Sequence, residues 1–171
     1  KKTHAGFSAT VGPKALGLEY LLAATDQKTL GAVIGFGSTS GRFGGHGQAD
    51  YAMANDLLAK IVGRIRVDRN IPATVFHWHA WDEVGMASRP ESRFVLEQFG
   101  LKFMPLAEGV QHFLDEIAAG LPASEVVVTE PAFCEAAGCV MSEAAGETST
   151  SVGSLIKNVQ PTAESVSVSV D

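Results

Sequence analysis

Ser38, Tyr51 and Asn55 punctuate the densest stretch of the chain, FGSTSGRFGGHGQADYAMAN at residues 36–55. A hydroxyl, a phenol and an amide set among Gly37, Gly41, Gly44, Gly45 and Gly47 admit three readings. The glycines could cradle a phosphate, mark a flexible turn, or carry the chain from a strand into a helix that presents a reactive tyrosine. The first is disfavoured by pattern. Gly35-Phe36-Gly37 begins like G-x-G-x-x-G, but Ser40 stands where the third glycine belongs and no lysine of the Walker type follows. The third rests on spacing. Tyr51 lies 13 positions after Ser38 and Asn55 four after Tyr51, about 40° further round a helix, so the two share a face. Lys60, nine after Tyr51, falls about 180° away. Lys14, 24 positions before Ser38 on the preceding helix, is the better-placed cation.

Positioning these groups takes alternating elements. Leu16, Leu18, Leu21 and Leu22 recur at helical spacing, giving a helix over 3–24 with an irregular start near Gly12-Pro13. TLGAVIGFGS reads as a buried strand over 30–37, and YAMANDLLAKIVGRIRVDR as a helix over 51–67. Met53, Ala54, Leu57, Leu58, Ile61 and Ile65 form the apolar face of that helix. A second strand follows at 73–79, then short helices over 85–100. PLAEGVQHFLDEIAAGL is an amphipathic helix with Leu106, Val110, Phe113, Leu114 and Ile117 on one side. A third strand closes the series at 125–129. Strand–helix alternation of this kind means an α/β fold, a parallel sheet with crossover helices. From 134 to 171 the chain, rich in Ser, Thr, Ala and Glu, reads as a flexible linker or tail. Its terminal SVSVSV alternates like an edge strand.

The 171 residues are 46% hydrophobic, enough for a core, with a formal charge of −6 and no basic block. A nucleic-acid surface is therefore not expected. No apolar run is long enough to cross a bilayer. Cys134 and Cys139, the only cysteines, make no disulfide framework and suit a reducing compartment such as the cytoplasm. His77 and His79 form an H-x-H pair that a strand would turn to one side. This favours a rival metallohydrolase, with Asp82 or His46 as a third ligand, but that set is unconvincing and no metal is expected.

The stretch 36–55 resembles the ketoreductase domains of polyketide and polyunsaturated fatty acid synthases, a branch of the short-chain dehydrogenase/reductase family. It is similar to their strand-end serine, glycine turn, Gly-Gln, tyrosine and Ala-Asn. VGPKALGL looks like their lysine segment, and HWHAWDEVGMA like their Trp-Gly-x-Trp and Gly-Met-Ala loop, with His79 in place of a glycine. The resemblance implies NADPH-dependent reduction of a β-ketoacyl thioester on an acyl carrier protein, beside the other domains of a synthase. It implies that Tyr51 donates the proton, Ser38 polarises the carbonyl, Lys14 favours the phenolate and holds a ribose hydroxyl, and Asn55 orients Lys14 or a water. Tyrosine ionises near pH 10, about three units above neutrality, so a nearby ammonium is needed. Trp78, His79, Gly85 and Met86 would border the cofactor; Gln48, Phe43 and Phe94 would meet the substrate, under a lid over 86–100 in which Met86, Phe94 and Leu96 are the candidate contacts with the acyl chain. The resemblance also implies a doubly wound, Rossmann-type parallel sheet, with residues 1–133 as the C-terminal catalytic half; the family's glycine fingerprint would precede Lys1, leaving this half without a complete dinucleotide site. A non-catalytic docking module of a synthase is the alternative.

Overall fold

Thr3 starts the first helix: its Oγ1 accepts the Gly6 N–H at 3.1 Å, satisfying one of the orphan donors of a helix N-terminus. In the computed structural model, which describes residues 2–26, 28–98, 100–136 and 155–157, α1 then runs unbroken over His4–Ala24. The irregularity expected near Pro13 is absent. Pro13 removes one helical hydrogen bond, but Val11, Ala15, Leu18 and Leu22 pack on the next long helix and hold the turn. That stripe, spaced 4, 3 and 4 residues apart, differs from the expected one: Leu16 and Leu21 face outward.

β1 spans Val33–Ser38, and a one-turn α2 spans Thr39–Phe43. The tyrosine helix α3 is Ala49–Arg69, and β2 is Ala73–Trp78. α4 covers Pro90–Gln98, α5 Leu106–Ala118, β3 Glu125–Val128 and α6 Pro131–Ala136. A short β4, Leu155–Lys157, completes the described elements. The strand order is β1-β2-β3-β4; the first two pairings are parallel and β4 is antiparallel to β3. Of the expected tail, α6 and β4 are described. SVSVSV lies outside the described residues.

Alternation along the strands divides the core in two. Val33, Ala73 and Val75 face α1 and α3, where Leu58, Val62 and Ile65 meet them. Phe76, Trp78, Val126 and Val128 face the other way and gather Ile34 and Phe113. Helices on both faces of a largely parallel sheet make the doubly wound arrangement. All six residues of β2 are buried, as a central strand requires.

α5 turns a different side inward from the expected one. Val110, Leu114 and Ile117 are exposed, whereas Gly109 and Glu116 are buried and Phe113 enters the core. Gly109 abuts the Trp81 ring, a bulk that its own helical pattern does not disclose. On α3, Met53 is likewise half exposed, and Ala59 and Val62 complete the buried side. No helix among the described residues is long and apolar enough to cross a membrane.

Candidate active site

The pairing register aligns Ser38 with Trp78 and Trp78 with Val128, so the three parallel strands end along one edge. Ligands of doubly wound sheets bind beyond such carboxyl ends. A cavity of about 780 Å³ opens there, within the range of small-molecule sites, about 300–1,000 Å³.

Ser38 is both the last residue of β1 and the N-cap of α2. Its Oγ accepts the Ser40 N–H at 3.2 Å. The hydroxyl proton is thereby left to donate elsewhere. Ser40 Oγ donates to Gln48 Oε1 at 2.7 Å, tying α2 to the start of α3 across the glycine turn. The turn also permits close packing: a Cβ on Gly41 would stand 2.6 Å from Asn55 Cβ. These contacts give the glycines of the opening stretch a structural task in passing from strand to helix.

Tyr51 sits in the first turn of α3 and lines the cavity with Ser38 and Gln48. Its backbone is held at both ends. The N–H donates to Asp50 Oδ1 at 2.9 Å, and the carbonyl accepts Asn55 Nδ2 at 2.8 Å. Asp50 is itself gripped by Lys2 Nζ at 2.7 and 2.9 Å, and that contact holds its carboxyl below the ordinary range. Asn55 is fully buried, and its Oδ1 has no partner among the described residues.

Lys14 reaches across from α1 and donates from Nζ to the Phe36 carbonyl at 2.9 Å. Burial lowers its pKa from the ordinary lysine value. Phe36 lines the cavity; Lys14 and Asn55 are not among its lining residues. Trp78, His79, Gly85 and Met86 all border the same space. Two expected substrate contacts do not. Phe43 packs edge-on against Phe133, with centroids 5.5 Å apart, beside Val127 and Cys134. Phe94 is 65% exposed; the candidate Leu96 does line the cavity, together with its neighbour Val95 on α4. Glu91 and Ser92 join them from the same helix. An i, i+4, i+5 spacing of Glu91, Val95 and Leu96 is the one signal that could have marked this inward side.

Residues 1–83 match the model of the KR domain. They belong to the ketoreductase domain family. The chain is 33% identical over 128 residues to a polyunsaturated fatty acid synthase polypeptide of Thraustochytrium sp. (strain ATCC 26185 / S-3), covering 75% of this chain and 4% of that protein. It is 36% identical over 107 residues to a phenolphthiocerol/phthiocerol polyketide synthase polypeptide of Mycobacterium tuberculosis (strain CDC 1551 / Oshkosh), covering 63% and 5%. Among solved structures, the first ketoreductase of the tylosin PKS superposes with a TM-score of 0.65 at 31% identity, over 75% of this chain and 28% of that one. An A-type ketoreductase from a modular polyketide synthase gives 0.66 at 27% identity, over 75% and 26%. The chain therefore spans about a quarter of those ketoreductase chains and a small fraction of the synthases.

The ketoreductase fold also shows what the two histidines do. His77 Nδ1 meets the Ser38 carbonyl at 3.1 Å and Nε2 meets Glu125 Oε2 at 3.0 Å. His79 Nε2 donates to the Lys102 carbonyl at 2.7 Å, which leaves Nδ1 to accept from Thr129 Oγ1 at 3.1 Å. The rings diverge because the strand ends at Trp78. No group of three or more metal-ligating residues occurs among the described residues, so the metallohydrolase set is not assembled there.

Burial lowers the His79 pKa from the ordinary histidine value. The sign of the consequence follows: the unfolded chain takes up a proton near pH 6.5, about where free histidine titrates, before the folded chain does. Stability from this group is complete above that pH and declines as pH falls towards the lower folded value. Urea midpoints measured from pH 8 to 5 should therefore fall, and His79→Gln should flatten the slope. An unchanged slope in the variant would assign the acid sensitivity elsewhere.

Proposed function

We propose that this chain furnishes the proton-donating and carbonyl-polarising side of an NADPH-dependent reduction, converting a β-ketoacyl thioester on an acyl carrier protein to the β-hydroxyacyl thioester. The reading places it beside other domains of a polyketide or fatty acid synthase in the cytoplasm. The observation that carries it is the shared cavity of Ser38 and Tyr51 at the strand ends, with the Ser38 proton uncommitted.

The residues present suit a nicotinamide. Trp78, His79, Gly85 and Met86 border the cavity, and Trp78 Nε1 is a buried donor with no partner among the described residues. A buried polar group of this kind ordinarily has one. When bound, the reduced nicotinamide supplies a hydride to the carbonyl carbon. Ser38 donates a hydrogen bond to the carbonyl oxygen as negative charge grows, a contact worth about 10²–10³ in rate. Tyr51 delivers the proton to that oxygen. Lys14, tethered at the Phe36 carbonyl, supplies positive charge, and the unpartnered Asn55 Oδ1 accepts from its ammonium or from a water. α4 covers the acyl chain with Val95 and Leu96. The adenosine half of the dinucleotide would be held by sequence outside these 171 residues, since no complete glycine fingerprint lies within them.

The test uses the natural polypeptide that contains these residues, a β-ketoacyl thioester and NADPH or NADH. Thioester-dependent loss of nicotinamide absorbance, faster with NADPH, should accompany formation of the β-hydroxy product. Absence of substrate-dependent oxidation would overturn the reading.

A further inference from the structure

We propose that His77 is a positioning residue for Ser38: its Nδ1–H fixes the carbonyl at the end of β1, and Glu125 fixes the ring from the opposite side. The inference rests on the ketoreductase reading of Ser38.

His77 is 1% exposed and stands in register with Gly37, one residue before Ser38. A carbonyl oxygen only accepts, so the 3.1 Å contact to Ser38 requires the hydrogen on Nδ1. On the far side, Nε2 faces a carboxylate oxygen at 3.0 Å, and one proton must lie between them. Glu125 also faces Arg42 of α2 at 4.0 Å and Lys60 of α3 at 3.9 Å, while Lys60 reaches Asp56 at 3.5 Å. The His77 hydrogen bond, followed by these cations, lowers the Glu125 pKa from its ordinary value. The ring thus donates from Nδ1 to the Ser38 carbonyl while its other nitrogen is braced against the Glu125 carboxylate.

The backbone makes room for this arrangement. A Cβ on Gly37 would lie 2.8 Å from Val75 Cγ1 and 3.4 Å from His77 Nδ1, so the bare glycine leaves the ring its path to the next residue. The peptide held by His77 is the one where the extended Ser38, φ −145° and ψ 149°, gives way to helical Thr39. Its orientation sets where the Ser38 side chain leaves the strand. Reactive groups must be held within about 0.5 Å of their productive geometry, and a misplacement of about 1 Å can cost 10²-fold. A buried imidazole braced by a carboxylate is a stiffer support than the strand end alone.

Four single substitutions and one double variant in the natural polypeptide test this. Ser38→Ala should lower kcat by about 10²–10³. His77→Phe should lower kcat by roughly tenfold or more with KM little changed, as expected for a small displacement of a group acting in the transition state. In the Ser38→Ala background His77→Phe should cost nothing further in kcat, because the group it positions is gone. Glu125→Ala should lower kcat, and Glu125→Gln, whose amide can still brace the ring, should restore most of it. In nitrogen-15 imidazole spectra His77 Nδ1 should carry a hydrogen both in the native chain and in Glu125→Gln. Full activity of Ser38→Ala would overturn both this inference and the role given to Ser38. Loss in Ser38→Ala with full kcat in His77→Phe would overturn the inference alone, as would an additive double-variant loss. If His77→Phe does not fold, the Glu125 pair decides: equal kcat for Ala and Gln would overturn it.

Discussion

Tyr51→Phe is expected to abolish ketone reduction in the natural polypeptide while leaving the fold in place. The substitution removes a single oxygen. Both backbone anchors of Tyr51, the N–H to Asp50 and the carbonyl from Asn55, survive it, and the ring keeps its place in the first turn of α3. Stability should change by no more than about 0.5 kcal/mol. The chemical step should change far more. The variant loses the phenol that the reading assigns as proton donor, and a positioned acid contributes about 10²–10⁴ in rate. kcat should therefore fall by that factor on a model β-ketothioester, with the unfolding midpoint retained as the control. Substantial residual turnover would remove Tyr51 from the acid role and leave Ser38 as the sole polarising group.

Phe76→Ala should produce the largest loss of stability. Phe76 is fully buried at the centre of the sheet's second core. Its ring stacks on Trp78 at 5.1 Å and 8°, and meets Phe113 of α5 at 5.3 Å. Truncation of a buried phenylalanine costs about 3–5 kcal/mol, against a typical total near 5–15 kcal/mol. The consequence reaches the cavity, because Trp78 forms part of its wall and would lose the surface beneath it. Urea unfolding should show a lower midpoint with little change in slope. A loss under about 1 kcal/mol, the ordinary centre for point substitutions, would mean that neighbours collapse into the space and that the stack contributes little.

The placement of Ser38 and Tyr51 was legible because it depends on local features. A β-branched apolar run ends at the serine, and a helical pattern opens at the tyrosine. The parallel pairing of β1, β2 and β3 and the helix-covered faces also follow from alternation. What escaped depends on distant partners. Val110, Leu114 and Ile117 look like the inward side of α5, but the Trp81 ring against Gly109 turns that helix otherwise. Phe94 looks like a substrate contact but is exposed, and Val95, absent from the expected contacts, joins the expected Leu96 in the wall. One-turn α2 was hidden by the glycines that flank it. The His77–Glu125 contact joins residues 48 positions apart, beyond the reach of any local pattern.

The register of β1 bears on how the polypeptide acquires its shape during synthesis. Val33 waits for Ala73, its partner 40 positions later, and Val75 for Glu125, 50 later. At elongation rates of about 5–20 residues per second, β1 spends roughly 2–8 seconds without its neighbour. Parallel pairings of such sequence separation are slow to form. Only near the end of that interval, when α3 is complete at Arg69, can it dock on α1 through Ala15, Leu22, Leu58 and Val62 and give the nascent chain a helical platform for the strand. The serine at its tip takes its final position only when the ribosome has passed the histidine that supports it.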